Sequence, residues 1–296
     1  MIPTPTLLTL RPAQAFPGHA APRQRASRWK PWLCAGLLAL GARAQAHEFW
    51  LRPSLFAPAV GAPLSLSLSV GEQFEGSPVA FGSTVVAGLQ LFTRTATQDL
   101  QALVPPGASQ SELPLRFGTQ GTHLLALDSR PYTIEMAADK FTAYLREEGL
   151  EAIVAQREAQ GQTQAPGRER YRRHVKTLLR VGQHSDAAFG VRTGQTLEIV
   201  PRQDPTHALG RDLAFDVLFQ GQPLQGALLK AWHQGRTQLT VLRARTNAEG
   251  RVTYRLPWAG VWMLSVVHME PASDTPAIDW DSHWGNLTFE TLARPR

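Results

Sequence analysis

Strict alternation of apolar and polar residues is the feature of this sequence that most restricts its fold. Between Leu64 and Val70, every second residue is Leu or Val and each intervening residue is Ser, so an extended segment there has one apolar and one polar face. Residues 85–93, 113–117 and 123–128 are further apolar segments of strand length, separated by Gly and Pro. This spacing predicts a β-sandwich.

Residues 137–173 break the strand pattern. Phe141, Tyr144 and Leu145 recur at the three- and four-residue spacing of a helix face, and Gly149 predicts a break between two helices. We interpret the basic segment at the end of this range as a turn of helix that leads into a strand returning to the first sheet. The range is therefore predicted to be a helical insert that packs beside the first sandwich.

A second β pattern follows the insert. Apolar segments of strand length resume near residue 194, and turn residues at 221–223 and 247–250 separate them. The sequence thus predicts a mainly β protein with two immunoglobulin-like β-sandwich domains, at 47–183 and 191–293, and a short helical insert after the strands of the first.

Residues 1–46 have the pattern of a secretory signal peptide. Basic residues come first, an apolar run of about 12 residues follows, and Ala44 and Ala46 flank Gln45 in the small-residue pattern at which signal peptidase cuts. The run is shorter than the ~20 residues needed to span a bilayer. We therefore expect cleavage between Ala46 and His47 and a periplasmic location for the mature protein.

The net charge of +6 comes from this N-terminal segment. Residues 1–46 hold six of the 30 Lys and Arg residues and no Asp or Glu, which leaves 24 basic against 24 acidic residues in the remainder. A neutral body gives no electrostatic footprint for nucleic acid, so we expect no nucleic-acid partner. After residue 46 the apolar stretches are too short for a membrane helix, and we expect no membrane span in the mature protein.

Sequence motifs of the common catalytic sites are missing. The chain contains no G-x-S-x-G, no P-loop, no G-x-G-x-x-G and no H-E-x-x-H. These are the local patterns that place a nucleophile, cradle a phosphate or ligate a catalytic zinc ion. We therefore name no catalytic residue and expect a binding protein rather than an enzyme.

Cleavage before His47 would create a metal chelate. The free α-amine and the imidazole of His47 can close a ring on one ion, and nitrogen ligands of this kind suit Cu(II) or Ni(II). His268 and His283 are candidate ligands to the same ion, whereas His123 and His233 look mainly structural. The alternatives stay open: His47 can follow the cleavage site by chance, His268 can be a hydrogen-bonded core histidine, and His283 can be an ordinary surface residue.

Several separate motifs, in order, carry a family resemblance. They are AHEFWLRP directly after the predicted signal, VGEQFEG, SRPYTIEMAADKFTAYLREEGL, GRERYRRHVKTLLRVG, and VWMLSVVHM followed by DWDSHWGNLTFE. Together they resemble the bacterial family catalogued as domain of unknown function 4198, over nearly all of residues 46–290. The resemblance implies an exported protein that is similar to periplasmic nickel-uptake-related proteins.

The C-terminal domain separately resembles the prealbumin-like, carboxypeptidase-regulatory-like sandwich. The segments FQGQPLQGALLKAW, TNAEGRVTYRL and GVWMLSVV carry this resemblance. It implies a fold only, because such sandwiches occur in adhesion, stalk and transport proteins alike.

These observations favour an exported, soluble metal-binding protein that supports nickel or copper uptake or handling. Its expected partners are a nickel or copper ion and a membrane metal transporter, and the transporter rests on the resemblance alone. The first alternative is a cell-envelope binding or adhesion module for glycan or protein without metal, which an exposed face formed by the tryptophans between Trp258 and Trp284 would favour. The second alternative is a copper-dependent oxidase that uses an N-terminal histidine brace for oxygen chemistry.

Overall fold

The computed structural model describes residues 47–72, 74–235 and 239–293. The predicted signal peptide, residues 1–46, lies outside the described residues. In the described chain strands predominate, two α-helices follow one another near the middle of the sequence, and the sheets pack as in a sandwich. The prediction of a mainly β, sandwich-like fold is therefore confirmed. No helix among these residues is long and apolar enough to cross a membrane.

The strands in the first part of the chain are β1 (Glu48–Pro53), β2 (Pro63–Glu72), β3 (Glu75–Val79), β4 (Val86–Phe92), β5 (Thr97–Asp99), β6 (Glu112–Arg116), β7 (Gly121–Ser129), β8 (Tyr132–Met136) and β9 (Gly167–Val181). The two helices between β8 and β9 are α1 (Ala138–Glu147) and α2 (Glu151–Ala159). The remaining strands are β10 (Leu197–Pro201), β11 (Asp212–Phe219), β12 (Gln222–Pro223), β13 (Leu228–Gln234), β14 (Leu239–Arg245), β15 (Arg251–Arg255), β16 (Gly260–Pro271) and β17 (Trp280–Thr291).

One large sheet runs through both predicted sandwiches. Its strand order is β14-β13-β16-β17-β9-β7-β4-β5, and β8 pairs with the first part of β9. β9 and β17 pair in parallel, starting with Glu169 opposite Trp280, and the other described pairings in this sheet are antiparallel. The ranges 47–183 and 191–293 therefore contribute strands to the same sheet, which we call the shared sheet.

A smaller sheet covers each face of the shared sheet. β1, β2, β3 and β6 form the N-terminal sheet, and β10, β11, β12 and β15 form the C-terminal sheet. Alternate residues of β7 show which face each one covers. Leu125 and Leu127 belong to the apolar core under the N-terminal sheet. Leu124 and Ala126 belong to the core under the C-terminal sheet, so the two cores lie on opposite faces.

Helices α1 and α2 pack against the C-terminal strands. Phe141, Tyr144 and Leu145, the predicted apolar face, are buried in one cluster with Met269 of β16 and Trp280 of β17. Met136 of β8 packs on the same cluster and Phe141 lies against Gly167 of β9, so the insert contacts strands of the range 47–183 as well. The insert reaches the C-terminal strands because β9 pairs in parallel with β17, which brings the chain that follows α2 directly beside them.

Two glycines fit these helices to the sheet. Gly149 adopts a left-handed backbone, with φ +71°, between α1 and α2, and confirms the predicted break. Gly167 begins β9 beside Phe141, where an added Cβ atom would overlap the aromatic ring. A larger residue at Gly167 would therefore separate α1 from the sheet.

β9 is a strand over its whole length. The expected turn of helix before this strand is wrong, and the helical part of the range 137–173 ends at Ala159. The basic residues of the segment instead lie along the strand and pair with aspartates near β17, as Arg168 does with Asp279. The expected return of this strand to the first sheet is confirmed by its pairing with β7.

Candidate metal-binding histidines

His47 lies at the rim of an open cavity on the N-terminal sheet. Its Nε2 atom is 3.9 Å from Oε1 of Glu72, and its side chain is 57% exposed. The cavity has a volume of about 420 Å³ and is lined by His47, Val70, Gly71, Glu72, Glu75, Gly76 and Ser77. Two carboxylates and one imidazole therefore line this cavity.

The residue after His47 is fixed inside the protein. In the pairing of β1 with β2, Glu48 lies opposite Gly71. The Glu48 carboxylate is buried against the shared sheet, where Oε1 accepts a hydrogen bond from Oγ of Ser265 at 2.9 Å and lies 3.5 Å from Nζ of Lys230. The backbone of His47 is therefore held at a defined place although its side chain is exposed.

A buried ion cluster joins β1, β13 and the end of α1. Nζ of Lys230 lies 2.7 Å from Oε2 of Glu148 and 3.5 Å from Oε1 of Glu48, and all three side chains are buried. Burial raises the pKa of Glu148 to about 7, because Lys230 offsets only part of the cost of desolvating the carboxylate and the charge of Glu48 adds to that cost.

His268 and His283 are brought together on the other face of the shared sheet. They are cross-strand partners on β16 and β17, and the ring of Phe219 packs against both, with centroid distances of 4.3 Å and 5.4 Å. Nδ1 of His283 lies 2.9 Å from Nε2 of His174, and Nδ1 of His174 lies 2.7 Å from Oδ1 of Asp128. No spacing pattern in the sequence marks His174, because its partner is 109 residues away.

Burial lowers the pKa of His268 and of His283 and so favours their neutral imidazoles. Desolvation, with smaller contributions from His174 and Arg172, lowers the pKa of His283 to about 4. Desolvation also lowers the pKa of His268, against the opposing effect of Glu270, whose Oε1 lies 3.8 Å from Nε2 of His268. A neutral imidazole keeps a lone pair on one ring nitrogen and can act as a metal ligand.

His47 lies on the other side of the shared sheet from His268 and His283. β1 packs on the face where Oγ1 of Thr288 donates a hydrogen bond to the carbonyl of Leu51 at 2.7 Å. His283 is an odd number of residues from Thr288 on the same strand and points to the opposite face. No group of three or more His, Cys, Asp or Glu side chains in the described chain is arranged to hold a metal ion. Metal ligation by these histidines stays a prediction.

The other two histidines considered from the sequence are buried, and each has a ring nitrogen within hydrogen-bond distance of a backbone carbonyl group. His123 is buried and its Nδ1 lies 3.2 Å from the carbonyl oxygen of Gly121. His233 is buried, its Nε2 lies 3.0 Å from the carbonyl oxygen of Ala259, and its ring stacks on Trp258.

The tryptophans of the C-terminal strands do not form one exposed aromatic face. Trp262 and Trp280 are buried and Trp284 is half-buried, whereas Trp258 is 42% exposed. The arrangement thus leaves one tryptophan ring at the surface among these four.

Comparison with known proteins gives a family and no function. The tetra-tandem repeat in the extending region of a large adhesion protein is similar with 9% identity and a TM-score of 0.22, over 84% of this chain and 50% of that one. Three N-terminal domains of the bacteriophage RB49 highly immunogenic outer capsid protein are similar with 7% identity and a TM-score of 0.19, over 83% of this chain and 71% of that one. This chain therefore spans half the length of the adhesion structure, and likenesses this weak carry no argument.

No curated protein matches the sequence. A family model matches residues 44–270, and the chain belongs to the family described as domain of unknown function DUF4198.

Proposed function

We propose that this chain is an exported protein that binds a nickel or copper ion at the N-terminus created by cleavage between Ala46 and His47. The observation that carries the proposal is the position of His47, which directly precedes β1, faces the carboxylate of Glu72 and lines an open cavity. Export to the periplasm is supported by the signal-peptide pattern. A role in metal uptake, with a membrane metal transporter as partner, is supported by the resemblance to nickel-uptake-related proteins.

The proposed ligands are the α-amine and Nδ1 of His47. These nitrogens close a chelate ring, while Nε2 faces Glu72 across 3.9 Å. A carboxylate beside the far ring nitrogen is the usual partner of a metal-bound imidazole, because it accepts the N–H hydrogen and fixes the tautomer. Glu75 lines the same cavity and can add an oxygen ligand. Amine and imidazole nitrogens favour Cu(II) and Ni(II), with copper favoured by intrinsic affinity.

One of these two ligands, the α-amine, belongs to the backbone and is therefore not part of any cluster of side chains. The α-amine becomes available only when the peptide bond before His47 is cut. This is consistent with the lack of a three-residue ligand cluster in the described part of the chain. Glu48 is held by Ser265 and Lys230 and keeps the neighbouring α-amine in place. Metal binding therefore costs less conformational entropy.

The test compares two proteins that both begin at His47 and differ only at its α-amine. In the second protein this amine is acetylated, so that the imidazole stays but the amine is no longer a ligand and no new N-terminal amine is added. Isothermal titration with Cu(II) and with Ni(II) should show roughly a tenfold or larger loss of affinity in the acetylated protein. Mass spectrometry of the exported protein should find His47 as its first residue.

Substitution of Glu72 tests the orientation of the ring. Glu72→Gln should weaken metal binding roughly tenfold, as expected for a partner that orients a ligating imidazole. Glu112→Gln, at an exposed position of the same sheet, removes the same charge away from the cavity and should leave affinity unchanged. Equal affinity of the two N-terminal forms would overturn the proposal, and the cell-envelope binding module without metal would replace it.

A further inference from the structure

Four polar side chains form a row across the shared sheet, on the face that the C-terminal sheet covers. Asp128 on β7 lies opposite His174 on β9, and His283 on β17 lies opposite His268 on β16. The strands follow each other in the order β7, β9, β17 and β16. The row therefore crosses four adjacent strands and is separate from the cavity beside His47.

The hydrogen bonds in this row fix the position of each proton. An ionised carboxylate only accepts, so Nδ1 of His174 carries the hydrogen that it donates to Asp128 across 2.7 Å. Nε2 of a neutral His174 then has a lone pair and accepts from Nδ1 of His283 across 2.9 Å. In a neutral His283 the remaining nitrogen, Nε2, is left without a hydrogen. It makes no hydrogen bond to another described residue.

Neighbouring groups hold the row in this arrangement. The side-chain amide of Gln195 donates to Oδ1 of Asp128 at 3.0 Å and fixes the carboxylate that begins the chain of hydrogen bonds. The rings of His174 and His283 lie nearly parallel, at an interplanar angle of 13°. Phe219 packs against His283 and His268 from the C-terminal sheet. The His283 lone pair is therefore oriented before any ligand arrives.

We propose that His283 and His268 form a second metal site, for a divalent transition-metal ion that prefers nitrogen ligands, such as Cu(II), Ni(II) or Zn(II). His283 binds through Nε2, and His268 supplies an imidazole from the directly opposite position of the next strand. His174 and Asp128 do not touch the ion. They are positioning residues, because a hydrogen bond to the far nitrogen of a ligating imidazole fixes its tautomer and raises its basicity.

Two protein imidazoles leave the other coordination positions of the ion to water. This agrees with the lack of a three-residue ligand group among the described side chains. It also follows from the hydrogen bonds, because Nε2 of His174 is occupied by His283 and is not available to an ion. This second site does not depend on cleavage before His47, so it can be tested separately from the proposed N-terminal site.

Titration of the form acetylated at the α-amine of His47 tests this site without the N-terminal chelate. With Cu(II) as the probe, we expect one ion whose electron paramagnetic resonance spectrum shows coupling to two imidazole nitrogens. His268→Ala and His283→Ala should each abolish that two-nitrogen signal. Asp128→Asn should weaken Cu(II) binding roughly tenfold, because it keeps the shape but no longer fixes the tautomer. His207→Ala, which removes an exposed histidine elsewhere, is the matched control.

A second measurement needs no substitution and so does not depend on variants that fold. Long-range proton–nitrogen correlation spectra of the metal-free protein report which ring nitrogen of each histidine carries hydrogen. We expect His283 to carry it on Nδ1. Hydrogen on Nε2 of His283, or an unchanged Cu(II) spectrum in both alanine variants, would overturn the second site and leave the row as a structural hydrogen-bond chain.

Discussion

Replacing Glu148 by Gln tests whether the buried ion cluster makes stability depend on pH. Lys230 donates to Oε1 of Glu148 at 2.8 Å, and Glu48 brings a second carboxylate to the same ammonium group at 3.5 Å. When both carboxylates are ionised, this buried cluster has one more negative than positive charge. Glutamine keeps the shape of Glu148 and an acceptor for Lys230, but it cannot ionise.

The size of the effect follows from the pKa of Glu148, which is about 7 in the folded protein against 4.5 for an ordinary glutamate. Because the folded state prefers the protonated acid, the contribution of this group to stability is lost as pH rises from the unfolded pKa to the folded pKa. Linkage gives a loss of about 2 kcal/mol between about pH 5 and about pH 7. The free energy of unfolding of Glu148→Gln, relative to wild type, should rise by that amount over this range.

Urea denaturation at several pH values, followed by tryptophan fluorescence, measures this difference. Comparison with wild type at each pH cancels other titrating groups, such as His283, whose lowered pKa makes both proteins gain stability over the same range. Glu158→Gln, at an exposed position of α2, controls for the loss of one negative charge. A difference between Glu148→Gln and wild type that stays constant with pH would refute the reasoning, since Glu148 would then titrate alike in both states.

Three further predictions concern packing and the second buried ion pair, and denaturation curves check each of them. Gly167→Ala should lower the free energy of unfolding by about 1–3 kcal/mol, because the added methyl group overlaps Phe141. Gly88→Ala, where the space around the added Cβ is open, is the control and should change it by less than about 0.5 kcal/mol. Equal effects of the two substitutions would contradict the packing of α1 on β9. Phe141→Ala empties a fully buried site and should cost about 3–5 kcal/mol, and an unchanged stability would mean that α1 is loosely attached. Lys176→Met removes the ammonium group 2.9 Å from buried Glu198 and should lower the free energy of unfolding by about 3–5 kcal/mol. Adding Glu198→Leu to the same chain should restore part of this loss. No recovery in the double variant would argue that the pair has a further structural role.

The features that the sequence predicted correctly are those that depend on neighbours in the chain. The alternation from Leu64 to Val70 became β2, with its leucines in the core under the N-terminal sheet. Phe141 and its helical neighbours became the buried face of α1, and Gly149 ended that helical segment. Each of these features follows from the spacing of apolar residues along a short segment or from the backbone conformation of one residue, so predicting it requires no knowledge of distant contacts.

The features that the sequence did not predict depend on one long-range pairing. Nothing in a local period shows that β9 lies parallel to β17, yet this pairing places α1 on the C-terminal strands and His174 beside His283. The basic segment at the start of β9 was interpreted partly as helix because its charges lack alternation with apolar residues. Their partners, such as Asp279 for Arg168, lie 111 residues away and supply the reason for a strand.

The shared sheet also explains why His47 lies apart from His268 and His283, which the sequence suggested as ligands of the same ion. Successive residues of a strand point to opposite faces, so Ser282 joins Glu169 under the helices while His283 joins the histidine row under the C-terminal sheet. β1 packs on the helix side of this sheet, and His47 therefore remains with the carboxylates of its own hairpin. A strand layer thus separates the two proposed metal sites, and they share no side chain. Because substitutions without shared partners act independently, removing the N-terminal amine should leave the His283 and His268 site intact, and the two titrations answer separate questions.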